Sequence, residues 1–304
     1  MLYTSATPEE KRARLRERLA SGELLQFPGA FNPLSARLIQ EKGFDGVYIS
    51  GAVLAAELGL PDVGLTTLSE VAGRGRQISR MTDLPTIIDA DTGFGEAMNV
   101  ARTVQELEDA GVAGLHIEDQ VNPKRCGHLD GKSVVEDATA LQRISAAATA
   151  RRDANLLIIA RTDIRAVSGL QAAIDRARLL VDAGADVVFP EAMIDLSEFE
   201  AVKSALGDVP VLANMTEFGK SELFTKAQLQ SAGVGIVIYP VSLLRVAMGA
   251  AERALGTLRT DGSLQAEVPG MQTRARLYEL LDYEGYSAFD ADVFNFSLER
   301  RLEQ

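Results

Sequence analysis

A glycine-centred junction recurs four times along this chain, each time between a predicted helix and a short apolar segment. The junctions read KGFDGV, AGVAGL, AGADVV and AGVGIV, at residues 42–47, 110–115, 183–188 and 232–237. Glycine ends a helix readily because it adopts the left-handed backbone conformation at little energetic cost, and the apolar segments have the length of buried strands. The repeat therefore predicts a regular alternation of helices and strands.

Extending this pattern along the chain gives eight strands. They are predicted at residues 24–27, 46–50, 86–91, 114–119, 156–163, 186–191, 209–215 and 235–239. Eight strands with intervening helices make an α/β fold of the (β/α)8 TIM-barrel type the leading architecture, and a doubly wound open sheet the alternative. A capping box from Thr7 to Glu10 begins a charged N-terminal helix. We predict a barrel over residues 1–255, including this helix, and a C-terminal helical extension over residues 256–304.

Polar residues end most of the predicted strands, although the strands themselves are apolar. These residues are Ser50, Asp89, Asp91, Glu118, Arg161, Asp163, Glu191, Asn214 and Thr216. In a barrel the carboxyl ends of all strands meet on one face, which is where such proteins carry their active sites. Solvent exposure of strand ends would explain one or two of these side chains, but it accounts poorly for the whole set.

The charge and composition argue against several classes of function. The formal net charge is −12 over 304 residues, which argues against binding to nucleic acid or to an anionic membrane surface. No apolar segment is long enough to span a membrane, and the N-terminus lacks the apolar core of a secretory signal. A single cysteine excludes an intramolecular disulfide and a cysteine-rich zinc site. We expect a cytoplasmic protein that acts on a small molecule.

The single cysteine lies in a polar loop after the fourth predicted strand. A lone cysteine is usually a small buried apolar residue. Cys126, however, stands in the sequence KRCGH, and cationic neighbours lower the pKa of a thiol. Both histidines of the chain, His116 and His128, fall within the same stretch, residues 113–132. This pattern predicts a reactive loop in which Cys126 is the general acid.

Two aspartates at the end of the third predicted strand form a candidate metal site. Asp89 and Asp91 are two positions apart, so their side chains point the same way, roughly 7 Å apart along the strand. Mg²⁺ fits such a pair because it takes few protein carboxylates and leaves coordination positions for substrate oxygens. Asp62 and Glu118 could hold the waters of the metal as a second layer of ligands. Solvated turn residues are the alternative interpretation of the two aspartates.

Three arginines are candidates for binding the carboxylates of a substrate: Arg161, Arg245 and Arg274. A guanidinium group binds a carboxylate through two parallel hydrogen bonds, which favours Arg over Lys in this role. Structural ion pairs are the alternative. Together with the metal site and the thiol, these arginines indicate cleavage of a C–C bond in a polyanionic hydroxy acid bound to Mg²⁺. Tyr48 is our candidate for the base that takes the hydroxyl proton.

Nine segments in chain order resemble a known family. They read YISG, DADTGFG, HIEDQ, KRCGH, IARTD, FPEA, LANMTEFG, YP and MQTR, and begin at residues 48, 89, 116, 124, 159, 189, 212, 239 and 271. They cover nearly the whole chain and resemble the methylisocitrate lyases of the isocitrate lyase and phosphoenolpyruvate mutase superfamily. The resemblance implies Mg²⁺-dependent cleavage of the tricarboxylate 2-methylisocitrate to pyruvate and succinate, in the methylcitrate route of propionate breakdown.

The same resemblance assigns roles to individual residues. It places Mg²⁺ on Asp89 and Asp91, and catalytic roles on Cys126 and its neighbour His128. It implies substrate contacts at Ser50, Gly51, Ala52, Cys126, Gly127, Arg161, Glu191, Asn214, Met215, Thr216, Arg245 and Arg274. Phe189, Ile238 and Pro240 resemble the apolar lining that accepts the extra methyl group of this substrate.

The C-terminal region is rich in aromatic residues. Six of the 17 in the chain lie in residues 271–304: Tyr278, Tyr283, Tyr286, Phe289, Phe294 and Phe296. Such a segment needs a surface to cover it, either on its own barrel or on another subunit. The family resemblance implies a homotetramer in which paired subunits exchange the last barrel helix.

One loop departs from the best-known methylisocitrate lyases. Residues 128–132 read HLDGK, which resembles the alkylmalate lyases that cleave dicarboxylates, whereas Arg245 and Arg274 favour a tricarboxylate. A 2,3-dimethylmalate or other alkylmalate lyase and an isocitrate lyase are therefore the alternative enzymes. A carboxylate-binding barrel without catalytic activity is the remote alternative.

Overall fold

Parallel strands form the centre of the computed structural model, which describes residues 4–124, 131–219 and 222–294. The strands in these ranges are β1 (Leu25–Pro28), β2 (Val47–Ile49), β3 (Thr86–Asp89), β4 (Gly114–Glu118), β5 (Leu157–Thr162), β6 (Val187–Pro190), β7 (Val211–Asn214) and β8 (Val234–Tyr239). They pair in the order β1-β8-β7-β6-β5-β4-β3-β2. Gly29, which follows β1, pairs in parallel with Tyr48 of β2, and this bridge joins the two ends of the sheet. The predicted (β/α)8 barrel is confirmed.

Helices follow the strands in the expected alternation. They are α1 (Pro8–Ala20), α2 (Pro33–Glu41), α3 (Gly51–Glu57), α4 (Leu68–Ser79), α5 (Ala97–Asp109), α6 (Asp137–Ala150), α7 (Arg165–Asp182), α8 (Leu196–Leu206), α9 (Lys226–Ser231), α10 (Ser242–Asp261), α11 (Arg274–Leu280) and α12 (Tyr283–Phe294). Two apolar layers lie outside the sheet, formed by outward-facing strand residues and the buried faces of these helices.

The four glycines of the repeated junctions take the conformation that the sequence predicts. Gly43, Gly111, Gly184 and Gly233 have φ angles of 76, 85, 110 and 81°, each in the left-handed region. Side chains other than glycine rarely adopt this conformation, so these positions end the helices at points where the chain turns back toward the sheet.

The inward-facing residues of each strand change from apolar to polar along the barrel axis. An apolar cluster fills the interior, with Leu15 of α1 at the amino ends of the strands and Phe189 near the carboxyl ends. Alternation along β5 makes the pattern clear, because Leu157 and Ile159 belong to this cluster and Arg161 is the next residue of the same parity. The interior core therefore ends where the predicted polar residues begin.

Helix α1 closes the amino end of the barrel. Its predicted capping box is present, with the Thr7 hydroxyl accepting a hydrogen bond from the Glu10 amide and the Glu10 carboxylate accepting from the Thr7 amide. Lys11 Nζ donates to the carbonyl oxygens of Ser79 and Thr82 at 2.8 and 2.6 Å. These contacts fix α1 against the amino end of the barrel.

The chain divides into two compact units. Ser5–Val246 contains the barrel, and the chain from Ala247 onward forms the other unit, so the division falls inside α10. The boundary at residue 255 stays a prediction. Helices α11 and α12 carry the predicted aromatic residues, of which Tyr283 and Phe289 are each 55% exposed and Phe294 is 87% exposed. Phe296 lies outside the described residues. Among the helices of the described ranges, none is both long and apolar enough to cross a membrane.

Candidate active site

A cavity of about 280 Å³ opens at the carboxyl ends of the strands. Its lining residues are Tyr48, Ser50, Ala52, Asp62, Asp89, Arg161, Phe189, Glu191, Asn214, Thr216, Glu217, Phe218, Gly219, Pro240, Val241 and Arg245. These residues follow or end six different strands or lie in the loops behind them, as the sequence predicts for a barrel active site. The lining combines acidic, cationic and apolar side chains, which suits a small anionic ligand with an apolar substituent.

The two predicted metal-binding aspartates converge on one point. Asp89 Oδ1 accepts a hydrogen bond from the Asp91 amide at 3.0 Å, and Asp89 Oδ2 accepts one from the Gly51 amide at 3.3 Å. A Cβ atom at Gly51 would lie 2.9 Å from Asp89 Oδ2 and 3.5 Å from Asp91 Oδ1. Asp91 has a φ of 46°, which turns the backbone after β3 and brings the second carboxylate to the same side as the first.

The ammonium group of Lys124 lies between acidic side chains at this point. Lys124 Nζ is 2.6 Å from Asp91 Oδ1 and also contacts Asp62, although the side chain is only 3% exposed. Burial alone would lower the pKa of Lys124, but the charges of Asp89, Asp91 and two further carboxylates outweigh it and raise the pKa. Lys124 is therefore a buried cation held by acidic groups.

The donor set fits Mg²⁺. Burial and the neighbouring charge of Asp89 raise the pKa of Asp91, although Lys124 opposes the shift, and a bound dication would relieve this repulsion. Asp91 Oδ1 accepts no hydrogen bond from the described residues despite its ion pair with Lys124. No group of three or more His, Cys, Asp or Glu side chains in the described ranges could hold a metal ion. A site of two carboxylates suits Mg²⁺, which keeps several of its waters, better than it suits Zn²⁺.

The two residues predicted to hold metal-bound waters have other partners in this structure. Asp62 contacts Lys124, and the buried Glu118 lies 3.3 Å from Arg161 Nη1. Burial raises the pKa of Glu118 well above its usual value, even though Arg161 and Lys124 oppose the shift. Glu118 is therefore protonated more readily than an ordinary glutamate.

Tyr48 and His116 form a hydrogen-bonded pair beside the aspartates. Tyr48 Oη and His116 Nε2 are 2.7 Å apart, and His116 Nδ1 is 3.7 Å from Asp89 Oδ1. Burial, with the charge of Asp89, raises the pKa of Tyr48 well above its usual value, so its hydroxyl stays protonated at neutral pH. Burial lowers the pKa of His116 to about 4, so the imidazole is neutral. Tyr48 can therefore take part in proton transfer with His116 but does not rest as a phenolate.

Arg161 is the centre of a buried network of charges. Its guanidinium lies 3.0 and 3.2 Å from the two oxygens of Asp163 and 3.7 Å from Glu191. It also lies over the ring of Phe189, 5.3 Å from the ring centroid. Burial alone would lower the pKa of Arg161, but Asp163, Glu118 and Glu191 raise it, so this side chain stays charged. Lys132 adds a second cation, 2.6 Å from Asp163 Oδ1.

Arg245 also lines the cavity, from the helix that follows β8, whereas Arg161 belongs to β5. It lies in the first turn of α10 and donates from Nη1 to Thr216 Oγ1 at 3.2 Å and to Glu217 Oε2 at 2.8 Å. Its guanidinium lies 5.5 Å from the ring centroid of Phe218. Because its side chain is 38% exposed, Arg245 is the accessible cation of the lining, whereas Arg161 is the buried one.

The structure brings most of the predicted substrate contacts to this cavity. Those that line it are Ser50, Ala52, Arg161, Glu191, Asn214, Thr216 and Arg245, with Phe189 and Pro240 of the predicted methyl pocket. Gly51 lies behind them, where its amide binds Asp89.

Two predicted contacts lie elsewhere. Met215 is buried in the outer layer because it has the opposite parity to Asn214 and Thr216, which line the cavity. Ile238 has the inward parity but lies one layer deeper, in the interior apolar cluster. The side chains of Met215 and Ile238 are therefore not part of the cavity wall.

Four further predictions cannot be placed in this cavity. Cys126, Gly127 and His128 lie outside the described residues. Arg274 is the first residue of α11, in the C-terminal unit. The roles assigned to these four residues stay predictions.

Comparison with known proteins identifies the family. A family model described as phosphoenolpyruvate phosphomutase matches residues 15–259. The chain belongs to the isocitrate lyase and phosphoenolpyruvate mutase superfamily. It is 58% identical to the probable 2-methylisocitrate lyase 2 of Corynebacterium glutamicum, over 97% of this chain and 96% of that protein. Other relatives at 45 to 47% identity are also named 2-methylisocitrate lyase, so this member of the superfamily is a carbon–carbon lyase.

Solved structures of the superfamily share the same fold. Oxaloacetate acetylhydrolase in complex with the inhibitor 3,3-difluorooxalacetate superimposes with a TM-score of 0.89 at 34% identity, covering 96% of this chain and 100% of that one. 2,3-Dimethylmalate lyase gives a TM-score of 0.88 at 34% identity, covering 95% and 96%. The fold therefore does not distinguish among the activities found in this superfamily.

Several site residues of this superfamily member are absent from the sequence-based prediction, among them His116, Lys124 and Glu217. His116 has the same inward parity on β4 as Glu118, so strand alternation could have identified it. Lys124 was considered only as a neighbour of Cys126, and no sequence pattern links it to Asp62 and Asp91. Glu217 follows Thr216 directly, but its pairing with Arg245 depends on the position of α10.

Proposed function

We propose that this lyase cleaves 2-methylisocitrate to pyruvate and succinate, with Mg²⁺ held by Asp89 and Asp91 and with Cys126 as the general acid. The observation that carries the proposal is that Asp89, Arg161 and Arg245 face one cavity at the carboxyl end of the barrel. Relatives named 2-methylisocitrate lyase, 45 to 58% identical to this chain, support the choice of substrate.

The charges of the cavity suit a substrate with several carboxylates. Arg161 belongs to β5 and Arg245 to the helix after β8, with two strands between β5 and β8, so they can bind separate carboxylates of one molecule. Asn214 and Thr216 lie between them on the lining and supply neutral hydrogen-bonding groups. When bound to Asp89 and Asp91, Mg²⁺ would polarise the α-hydroxy-carboxylate and stabilise the negative charge that develops during cleavage.

The proposed cleavage needs one proton to be removed from the substrate hydroxyl and one to be added to the carbanion that is formed. The substrate hydroxyl loses its proton, the bond between the hydroxyl-bearing carbon and its neighbour breaks, and the electron pair of that bond remains on the neighbour. We assign the first step to Tyr48, whose oxygen can accept a proton while passing its own to His116 Nε2 at 2.7 Å. Cys126 then donates its thiol proton to the carbanion, which completes succinate. Glu191 orients Asn214, whose Nδ2 donates to Glu191 Oε2 at 3.2 Å.

The methyl group of the substrate has an apolar contact surface. Phe189 and Pro240 line the cavity, and Phe189 is held in place by Arg161 over its face and by a nearly perpendicular ring contact with His116. Burying one methyl group stabilises a complex by about 0.8 kcal/mol. We therefore expect a preference for 2-methylisocitrate over isocitrate of severalfold rather than strict exclusion.

Product formation by the purified protein tests the proposal. 2-Methylisocitrate, isocitrate and 2,3-dimethylmalate are supplied in parallel, with Mg²⁺ or with EDTA, and pyruvate, glyoxylate and succinate are measured. The proposal expects pyruvate and succinate from 2-methylisocitrate at the highest kcat/KM, and only with metal. Turnover in EDTA would contradict the metal assignment, and a higher kcat/KM for dimethylmalate would contradict the substrate assignment.

A dicarboxylate lyase is the second candidate. Two observations favour it: the resemblance of residues 128–132 to the alkylmalate lyases, and the pairing of Arg245 with Glu217, which offsets part of the cationic charge available to a third carboxylate. The tricarboxylate assignment depends on Arg245 remaining able to bind substrate while it contacts Glu217.

Replacement of Arg245 by Ala distinguishes the two candidates. A charged hydrogen bond to a carboxylate contributes about 1.5–3 kcal/mol, so Arg245→Ala is expected to lower kcat/KM for 2-methylisocitrate about 10- to 100-fold. Activity on 2,3-dimethylmalate should change much less, because this substrate lacks the third carboxylate. Arg253→Ala, an exposed arginine later on α10, is the control and should leave both activities unchanged. An equal loss on both substrates would assign Arg245 to a carboxylate that the two molecules share.

We also propose that the chain forms a homotetramer through its C-terminal helices. The large exposed apolar side chains of α12, Tyr286, Phe289 and Val293 among them, support a subunit contact. Light scattering after size-exclusion chromatography should give four times the mass of one chain. Phe289→Asp should reduce this mass, whereas Met98→Asp, at an exposed apolar residue of α5, should not. A monomer in the unmodified protein would contradict the proposal.

A further inference from the structure

The ammonium group of Lys124 is a cation that lies beside the carboxylate pair of Asp89 and Asp91. Its Nζ atom lies 2.6 Å from Asp91 Oδ1 and also contacts Asp62, and the side chain is 3% exposed. An ammonium group and Mg²⁺ would compete for the same oxygen, since Mg²⁺ binds carboxylate oxygens at about 2.1 Å. Two cations that share this oxygen at such distances repel each other strongly in a buried site.

The local structure directs Lys124 to this position. Asn122 Nδ2 donates to Thr92 Oγ1 at 2.8 Å, which ties the segment before Lys124 to the residue after Asp91. The aliphatic part of Lys124 passes close to Gly64, where a Cβ atom would lie 3.5 Å from Lys124 Cγ. Lys124 is thus placed by the hydrogen bond that fixes the preceding segment and by the passage of its stem beside Gly64, and its charged end reaches the aspartates.

We propose that Lys124 is a built-in counter-ion that Mg²⁺ displaces: the ammonium group neutralises Asp62 and Asp91 in the metal-free enzyme and withdraws from Asp91 when the metal binds. This inference rests on the assignment of Mg²⁺ to Asp89 and Asp91 in the proposed function. Its first consequence is that Lys124 weakens the affinity for Mg²⁺, because part of the binding free energy is used to break the ion pair. Its second consequence is that Mg²⁺ exposes the Lys124 amine.

Titration calorimetry with MgCl₂ tests the first consequence. Lys124→Met is expected to bind Mg²⁺ at least about tenfold more tightly than the unmodified protein, since the competing charge is gone. Lys124→Arg keeps the charge and should retain the weaker affinity. Lys11→Met is the matched control, because Lys11 is also buried but donates to Ser79 and Thr82 at the other end of the barrel. Equal or weaker binding by Lys124→Met would overturn the proposal.

Amine labelling of the unmodified protein tests the second consequence without any variant. The protein is treated briefly with an acetylating reagent with and without MgCl₂, and the modification of each lysine is measured by peptide mass spectrometry. Lys124 should react faster with Mg²⁺ present, while Lys11 should not change. If the rate at Lys124 does not change under conditions where calorimetry shows Mg²⁺ bound, the proposed displacement of Lys124 is wrong, while the assignment of Mg²⁺ to Asp89 and Asp91 stands.

Calorimetry with Asp91→Asn tests the metal assignment itself. If this variant binds Mg²⁺ as well as the unmodified protein does, the metal assignment fails, and the proposed displacement of Lys124 fails with it.

Discussion

Arg161→Met is expected to lower the free energy of unfolding by about 3–5 kcal/mol, because it removes one partner from a buried network of charges. The guanidinium lies 3.0 Å from Asp163, 3.3 Å from Glu118 and 3.7 Å from Glu191. Methionine fills a similar volume but leaves these three carboxylates facing one another in a buried site. Activity should also be lost, since Arg161 lines the substrate cavity. Urea denaturation at fixed protein concentration measures the stability effect.

The loss of stability in Arg161→Met should become smaller as the pH falls. Burial already raises the pKa of Glu118 while the charge of Arg161 opposes the shift, so removing the guanidinium raises this pKa further above its value in the unfolded chain. The folded variant then binds more protons than the unfolded one, so its stability increases as the pH falls through the range between the folded and unfolded pKa values. The difference from the unmodified protein should therefore be smaller at pH 5 than at pH 7.

Arg165→Met is the matched control for this prediction. Arg165 is the first residue of α7, four positions after Arg161, and makes two hydrogen bonds to Glu198, at 2.6 and 3.1 Å, but its side chain is 20% exposed. A partly exposed pair contributes about 1 kcal/mol or less, so this variant should be nearly as stable as the unmodified protein. If both variants lost the same free energy of unfolding, the burial of the charges around Arg161 would not explain the loss of stability.

The fold was predictable because its signals are local. The glycine that ends each helix and the apolar strand that follows it lie within six residues of one another, so each junction can be read without tertiary information. All eight strands appear within two residues of their predicted starts, and most end earlier than predicted because the last polar residue turns into the loop. Asp91 is an example: it was predicted to end β3, but its φ of 46° places it beyond the strand.

The candidate site was predictable only where strand parity decides it. Alternation along β7 directs Asn214 and Thr216 inward, and the same rule excludes the side chain of Met215, which the family resemblance had included. Strand alternation predicts which side chains face the barrel interior, but not how far along the barrel axis they lie. Ile238 therefore faces inward as predicted, yet lies in the apolar layer below the cavity. Lys124 meets Asp62 and Asp91 across three separate loops. Such a contact depends on tertiary packing that no short sequence pattern encodes.

Cys126→Ala is expected to lower kcat for 2-methylisocitrate by about 10³-fold while Mg²⁺ and substrate still bind. General acid catalysis contributes roughly 10²- to 10⁴-fold, and alanine removes the proton donor that the proposed reaction needs for the carbanion. Tyr48, on the cavity wall, is a poor replacement, because burial raises the pKa of its hydroxyl well above the usual value. Mg²⁺ and substrate should still bind to Cys126→Ala because the groups proposed to bind the metal and the substrate carboxylates belong to other residues of the cavity lining.

Two measurements separate the loss of chemistry from a loss of binding. Single-turnover release of pyruvate gives the rate of cleavage, and calorimetric titration with 2-methylisocitrate in the presence of Mg²⁺ gives the dissociation constant. The rate should fall by the stated factor while the dissociation constant changes by less than about threefold, since a residue that acts in the transition state contributes little to ground-state binding. Cys126→Ser, which keeps a donor of much higher pKa, should be nearly as slow as Cys126→Ala. Turnover by Cys126→Ala at the rate of the unmodified protein would remove Cys126 from the mechanism and require another group as the general acid.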